Sequence, residues 1–335
     1  METAGKYVIL DKLGEGGSGV VYRVKDTNTG IIYAMKCFAN AGCGERETKV
    51  LKELHHPGIP KLADCFIFED TYCLVMEYED GVSLNEYVEG LNRTEVIFKK
   101  LVDIVAYLHS RPVPVVHGDL KPENIYVTAG GEVKLLDFGS AFRFSNRKQA
   151  RESTPGYAAP ELYQGVCRRE SDVYALGYIL VYITSGKDPG YFSGCKEQKS
   201  KRACERITTE RRIRPVQGLD RAVLRRLGLS APLAEIAEKC IRREAKERYA
   251  SAVILSDALR KAGKRHRIKR IIGRAREMLL TDGGGILALY GLYSAKKLCI
   301  LAGCVFLLGE LLIESHKRNR FGEECTRIYS LFLAG

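Results

Sequence analysis

Apolar runs and the turn residues between them divide the chain into a strand-rich first quarter and a helix-rich remainder. Tyr7 to Leu13, Val20 to Lys25, Ile31 to Phe38, Ile59 to Glu69 and Tyr72 to Glu77 read as five strands. One helical stretch interrupts them. It is expected from Glu45 to Leu54, with Val50, Leu51 and Leu54 on one side, Gly44 before it and His55-His56-Pro57-Gly58 closing it. Ser83 to Val88 starts a helical region. Thr94 to His109 is clearly amphipathic, with Val96, Ile97, Leu101, Ile104, Val105 and Leu108 at helical spacing; it reads as packing, without chemistry. Pro114 to Val116, Ile125 to Val127 and Val133 to Leu136 read as short strands gripping a loop, and Gly130-Gly131 as the turn between the last two. The apolar run from Val173 to Ile183 fits a buried central helix, Gly186 to Arg214 a solvated loop, and Leu233 to Ile241 and Ala250 to Leu259 two further helices.

A chain of 335 residues, 45% hydrophobic and 28% charged, can bury a large core in one or two lobes. Its eleven cysteines are scattered, without a Cys-x-x-Cys pair, and read as reduced thiols of a cytosolic compartment. Met1 to Gly5 leads straight into a strand-like run, so no signal peptide is expected. The net charge of +12 is uneven: residues 263–335 hold 13 Lys/Arg against 6 Asp/Glu. The basic character belongs mainly to the tail, which argues against nucleic acid as a partner of the whole chain.

The chemistry concentrates at Val116-His117-Gly118-Asp119-Leu120-Lys121-Pro122-Glu123-Asn124, followed by Asp137-Phe138-Gly139. A carboxylate, an ammonium, an amide and a second carboxylate fall within about twenty residues. Phosphoryl transfer needs such a set: a group to orient the attacking hydroxyl, a cation near the phosphate and two metal ligands. Gly14-Glu15-Gly16-Gly17-Ser18-Gly19 has two readings, the turn of a dinucleotide fold or a phosphate-covering hairpin. Val20-Val21-Tyr22 after it favours the hairpin. Strand alternation puts Ala34 and Lys36 on one face, where a small residue leaves room for a flat ring and the ammonium reaches its phosphates.

These motifs resemble the protein kinase family. The likeness covers about residues 6–262, with Gly118 where the family's catalytic loop has arginine. It implies an α+β, bilobal kinase fold: a five-stranded antiparallel sheet with one helix over about residues 6–77, and a mainly helical lobe over about residues 80–262. As the resemblance implies, Asp119 and Lys121 are catalytic, and Asn124 and Asp137 hold Mg2+ (or Mn2+). Leu13, Gly14, Gly16, Gly19, Val21, Ala34, Lys36, Glu47, Met76, Glu77, Glu79 and Tyr126 surround ATP. Within that set Glu47 pairs with Lys36, the backbones of Glu77 and Glu79 meet the adenine edge, and Tyr126 replaces the usual aliphatic floor residue. Ala159-Pro160-Glu161 closes an activation segment in which Thr154 bridges Asp119 and Lys121. Asp172 braces the catalytic loop, and Arg248 partners Glu161. The expected activity is phosphorylation of protein Ser/Thr hydroxyls. Its rivals are a nucleotide-binding, pseudokinase-like scaffold and a small-molecule phosphotransferase.

The tail, residues 263–335, lies outside the resemblance. Lys264 to Arg276 is basic, and Leu298 to Ile313 is apolar except for Glu310. Ile286 to Ser294 is also apolar, and Lys296-Lys297 separates the two runs. One reading is a juxtamembrane segment and an anchor over residues 286–313, holding a cytoplasmic catalytic domain to the inner face of the cell membrane. The other is a helical hairpin packed on the catalytic domain or on a second copy as a homodimer.

Overall fold

The computed structural model describes residues 3–87, 94–143, 156–189 and 219–264. The tail and the middle of the activation segment, with Ser145, Ser153 and Thr154, lie outside the described residues, as does most of the Gly186 to Arg214 stretch. Among the described residues no helix is long and apolar enough to cross a membrane.

The small lobe is an antiparallel sheet of six strands rather than five: β1 (Thr3–Ala4), β2 (Tyr7–Gly16), β3 (Gly19–Asp26), β4 (Ile32–Phe38), β5 (Leu62–Phe68) and β6 (Thr71–Glu77), in the order β1-β2-β3-β4-β6-β5. The added strand pairs Thr3 with Val8 and Ala4 with Tyr7. Alternation divides the sheet into two apolar faces. Phe38 and Leu74 join the main core, while Tyr7, Val24, Met35, Cys73 and Val75 form a smaller core on the opposite face. The glycine stretch is the tip of the β2–β3 hairpin, with Gly16 paired to Gly19.

Helix α1 (Ala41–Leu51) starts four residues before Glu45 and stops short of Leu54, with Gly44 inside it. Asn40 sets the start, because its side chain accepts the Gly42 N–H at 2.9 Å. Residues 81–83 are not helical. They form β7 (Gly81–Ser83), which pairs with β9 (Ile125–Thr128), itself paired with β10 (Val133–Leu135). A two-stranded ribbon joins β8 (Val115–Val116) to β11 (Phe142–Arg143).

The large lobe is built on α2 (Thr94–His109) and α3 (Arg169–Ser185). Phe98, Leu101, Val102, Val105 and Leu108 of α2 are fully buried, whereas Val96, expected on the apolar stripe, is exposed. Every residue from Ser171 to Val181 of α3 is buried, as a helix apolar on all sides requires. The short α4 (Arg221–Arg226), α5 (Ala231–Cys240) and α6 (residues 252–264) complete the lobe.

The Glu161–Arg248 pair ties the end of the activation segment to this helical body. The guanidinium meets the carboxylate end-on, through both terminal nitrogens, at 2.7 Å and 2.9 Å. Its remaining N–H groups go to the carbonyls of Glu170, Arg242 and Arg243. Ser171 Oγ donates to the same carboxylate at 2.7 Å. Removing one partner strands a buried charge. Arg248→Ala is therefore expected to lower the unfolding free energy by about 3–5 kcal/mol, read as a fall in the urea midpoint at unchanged m. A loss below about 1 kcal/mol would assign the pair no more weight than a surface bridge.

Candidate functional site

The site begins at one buried lysine. Lys36 Nζ lies 2.8 Å from Glu47 Oε2 and 2.8 Å from Asp137 Oδ1, so β4, α1 and the turn after β10 converge on a single ammonium. Val21, Lys36 and Leu74 stand opposite one another on adjacent strands, as do Arg23, Ala34 and Met76. Strand alternation thus carries Val21, Ala34, Lys36 and Met76 on one face. Leu13 sits at the irregularity between Lys12 and Gly14 and is exposed.

Burial alone would lower the Lys36 pKa. The Glu47 and Asp137 carboxylates outweigh it and raise the lysine pKa. Asp137 is also pushed up by burial, but Lys36 overcomes this and holds it below the usual carboxylate range. Glu47 lies deeper, and there burial wins: its pKa is raised, although Lys36 and the Phe138 N–H pull against it. Two carboxylates face one ammonium, so the cluster leans negative and suits a cation.

The second group of residues is held just below. Asp119 Oδ2 is 2.9 Å from Lys121 Nζ, and Asn124 Nδ2 donates to the Asp119 carbonyl at 2.9 Å. Asn124 is joined to the first cluster through the backbone. Its carbonyl accepts the Leu136 N–H at 2.8 Å, one residue before Asp137. The β9–β10 hairpin therefore delivers the amide and the carboxylate side by side, and both offer oxygen, the ligand type hard divalent ions take. Asp137 adopts φ 56 and accepts the Gly139 N–H at 3.2 Å. Among the described residues no group of three or more His, Cys, Asp or Glu could cage a metal. An ion held by Asn124 and Asp137 would take its other ligands from phosphate and water.

The loop is braced from beneath. Asp172 Oδ1 accepts the Gly118 N–H and Oδ2 the His117 N–H, each at 2.9 Å. His109, at the end of α2, completes the brace. Its Nδ1 accepts the Ala252 N–H at 3.0 Å, so the ring proton sits on Nε2 and points 3.0 Å to Asp172 Oδ2. Helix α2 thus contributes to the site after all. Gly118 adopts φ +79, and a Cβ there would stand 3.2 Å from the Ser140 carbonyl oxygen, so the backbone favours the glycine in place of arginine.

The glycines of the hairpin separate into two kinds. Around Gly14, Gly16 and Gly17 nothing lies within 4 Å of an added Cβ, which leaves room for a ligand. Gly19 adopts φ +144, and a Cβ would lie 2.0 Å from the Cys37 carbonyl oxygen; close packing of β3 on β4 requires it. At the expected hinge the Glu77 N–H is spent on the Lys61 carbonyl at 2.9 Å, leaving its carbonyl as the adenine-facing candidate. The side chains of Glu77 and Glu79 reach the buried Lys134 of β10, a contact the sequence reading missed. Tyr126, half-buried on β9 between Ile125 and Val127, has its phenol pushed up chiefly by burial. A cavity of about 150 Å³ behind α1, lined by Val50, Glu53, Leu54, Arg111, Val115 and Arg143 among others, holds none of these groups.

Comparison with known proteins follows the same lines. Residues 7–259 match the family model described as "Protein kinase domain". The chain is 34% identical over 201 residues to the serine/threonine-protein kinase TIO of Arabidopsis thaliana, covering 55% of this chain and 15% of that one. It is 32% identical over 208 residues to the serine/threonine-protein kinase PrkC of Bacillus subtilis (strain 168), covering 56% and 31%. The chain therefore spans under a third of the length of these relatives. The PknI kinase domain of Mycobacterium tuberculosis shares the fold, with a TM-score of 0.56 and 22% identity over 78% of this chain and 98% of that domain.

Proposed function

The chain belongs to the protein kinase family, and from that premise we propose that it transfers the γ-phosphate of ATP to Ser/Thr hydroxyls of proteins. The observation that carries this reading is the unbroken run of contacts Glu47–Lys36–Asp137, Leu136–Asn124 and Asn124–Asp119–Lys121. It gathers three carboxylates, an amide and two ammonium groups along one cleft.

When bound, ATP with Mg2+ (or Mn2+) supplies the phosphoryl group and the charge that neutralises its oxygens. Asn124 and Asp137 are the metal-holding residues in this reading. Lys36, kept charged and kept in place by Glu47, grips phosphate oxygens. The backbone of Gly14, Gly16 and Gly17 covers the phosphates and excludes water. Leu13, Val21, Ala34, Met76 and Tyr126 enclose the adenine, and the hinge backbone at Glu77 and Glu79 meets its edge. Asp119 orients the substrate hydroxyl and takes its proton. Lys121, already beside Asp119, steadies the phosphate in flight. Lys121-Pro122-Glu123 and Ala159-Pro160-Glu161 favour protein over small-molecule substrates.

Gly118 supports a finer reading, activity that does not depend on activation-segment phosphorylation. An arginine at this position would pair with a phosphate in the segment, and glycine has no such group. Within the tail, residues 286–313 are the proposed anchor to the inner face of the membrane, with a homodimer as the rival reading.

Three outcomes test these proposals. Asp119→Asn is expected to keep nucleotide binding within about twofold and lower transfer to a generic protein substrate by about 10³-fold or more; wild-type turnover would remove Asp119 from its role. Replacing Ser145 and Ser153 together with Ala should change turnover by less than about threefold, whereas a collapse would refute independence from phosphorylation. In a membrane-flotation assay the whole chain should rise with the vesicles, and recovery in the soluble fraction at low salt would remove the anchor.

A further inference from the structure

Two thiols face each other in the small lobe on the side of the sheet away from Lys36. Cys37 follows Lys36 on β4, and Cys73 stands directly opposite it on β6. Their sulfurs are 3.4 Å apart, closer than ordinary sulfur contact, and both cysteines are free thiols. Directly opposed residues of an antiparallel pair have Cα atoms about 4.5–5.5 Å apart, inside the range a disulfide spans. Closing the remaining gap requires side-chain rotation but no change of register.

The surroundings distinguish the two sulfurs. Cys37 is half-buried, so a small oxidant can reach it from solvent, while Cys73 is sealed in the smaller apolar core beside Met35 and Val75. The shared S–H···S contact pushes the Cys37 thiol up and draws Cys73 down, so Cys73 is the sulfur that gives up its proton first.

We propose that Cys37 and Cys73 form a peroxide-sensitive disulfide site that staples β4 to β6. One thiolate attacks hydrogen peroxide; the O–O bond breaks, the sulfur becomes a sulfenic acid, and the departing oxygen leaves as water after taking up a proton. The second sulfur attacks the first, the S–S bond forms, the S–O bond breaks, and a second water leaves with the second thiol proton. In sum two thiols and one peroxide give one disulfide and two waters, and a dithiol reductant reverses the oxidation by exchange. The bond would close the chain around α1 and fix the strand carrying Lys36 to the strand leading to the hinge. The inference stands whether or not the chain transfers phosphate.

The test uses the full-length chain. The folded, reduced protein is treated with hydrogen peroxide, the remaining thiols are capped with N-ethylmaleimide, and the digest is examined by mass spectrometry. The expected product is a cross-linked peptide pair carrying Cys37 and Cys73, lighter by two hydrogens and lost on dithiothreitol treatment. Oxidation is expected to raise the Tm by on the order of 5–10 °C. Cys37→Ser and Cys73→Ser should each abolish that rise. The proposal is overturned if both thiols are recovered capped, if Cys37 pairs with another cysteine, or if the sulfur stops at the sulfinic acid. It is overturned as well if the Tm rise survives in Cys73→Ser. The wild-type peptide map decides the matter even if neither variant folds.

Discussion

One buried ammonium holds the halves of the cleft in register. An isolated charge in the interior costs several kcal/mol, and Lys36 escapes that cost only by contacting Glu47 and Asp137 at once. The pairing therefore does more for geometry than for stability. Helix α1 must lie where Glu47 can reach β4, and the turn after β10 must present Asp137 from the opposite lobe. Phe38 and Tyr72 pack edge to face at 6.0 Å, and Tyr72 Oη donates to Thr48 of α1 at 3.0 Å, so the helix is seated by apolar and polar contacts before any ligand arrives.

Beneath the cleft a second buried carboxylate does comparable work for the backbone. Asp172 takes the N–H groups of His117 and Gly118 and the ring proton of His109, while Ala252 of α6 fixes the far side of that ring. Three helices thus suspend a loop to which they lend no reacting group. Asp119 and Asn124 owe their positions to residues sealed from solvent, such as His117, whose ring packs edge to face on Phe138 at 5.2 Å.

Much of this was legible in the sequence, because strong local patterns coincide with tertiary demands. The bounds of α2 fall where its periodicity ends, and Glu47 is the glutamate that the spacing to His56-Pro57 selects. The start of α1 was hidden because Ala41-Gly42-Cys43-Gly44 is a weak helix former, and a single Asn40 cap decides it. Gly81–Ser83 becomes a strand only because β9 offers an edge, a non-local fact that propensity cannot carry. His109 and Lys134 escaped notice for a related reason. A histidine ending an amphipathic helix and a lysine within a short strand look solvated until Asp172, Glu77 and Glu79 are brought to them. Val96 shows the converse: it is apolar but lies off the stripe of Ile97, Leu101, Val105 and Leu108, and it stays exposed.

The end-on pair at Glu161 restricts how the large lobe can vary over time. All five N–H groups of Arg248 have an acceptor. A lysine brings only three donors, so two of the five oxygens would lose their partner on this side chain, while Glu161 Oε1 keeps a second donor in Ser171. Even the most similar cation is thus a poor replacement, and Glu161 is bound by the same arithmetic. The two positions are open to substitution chiefly as a couple, exchanged together for matching apolar side chains.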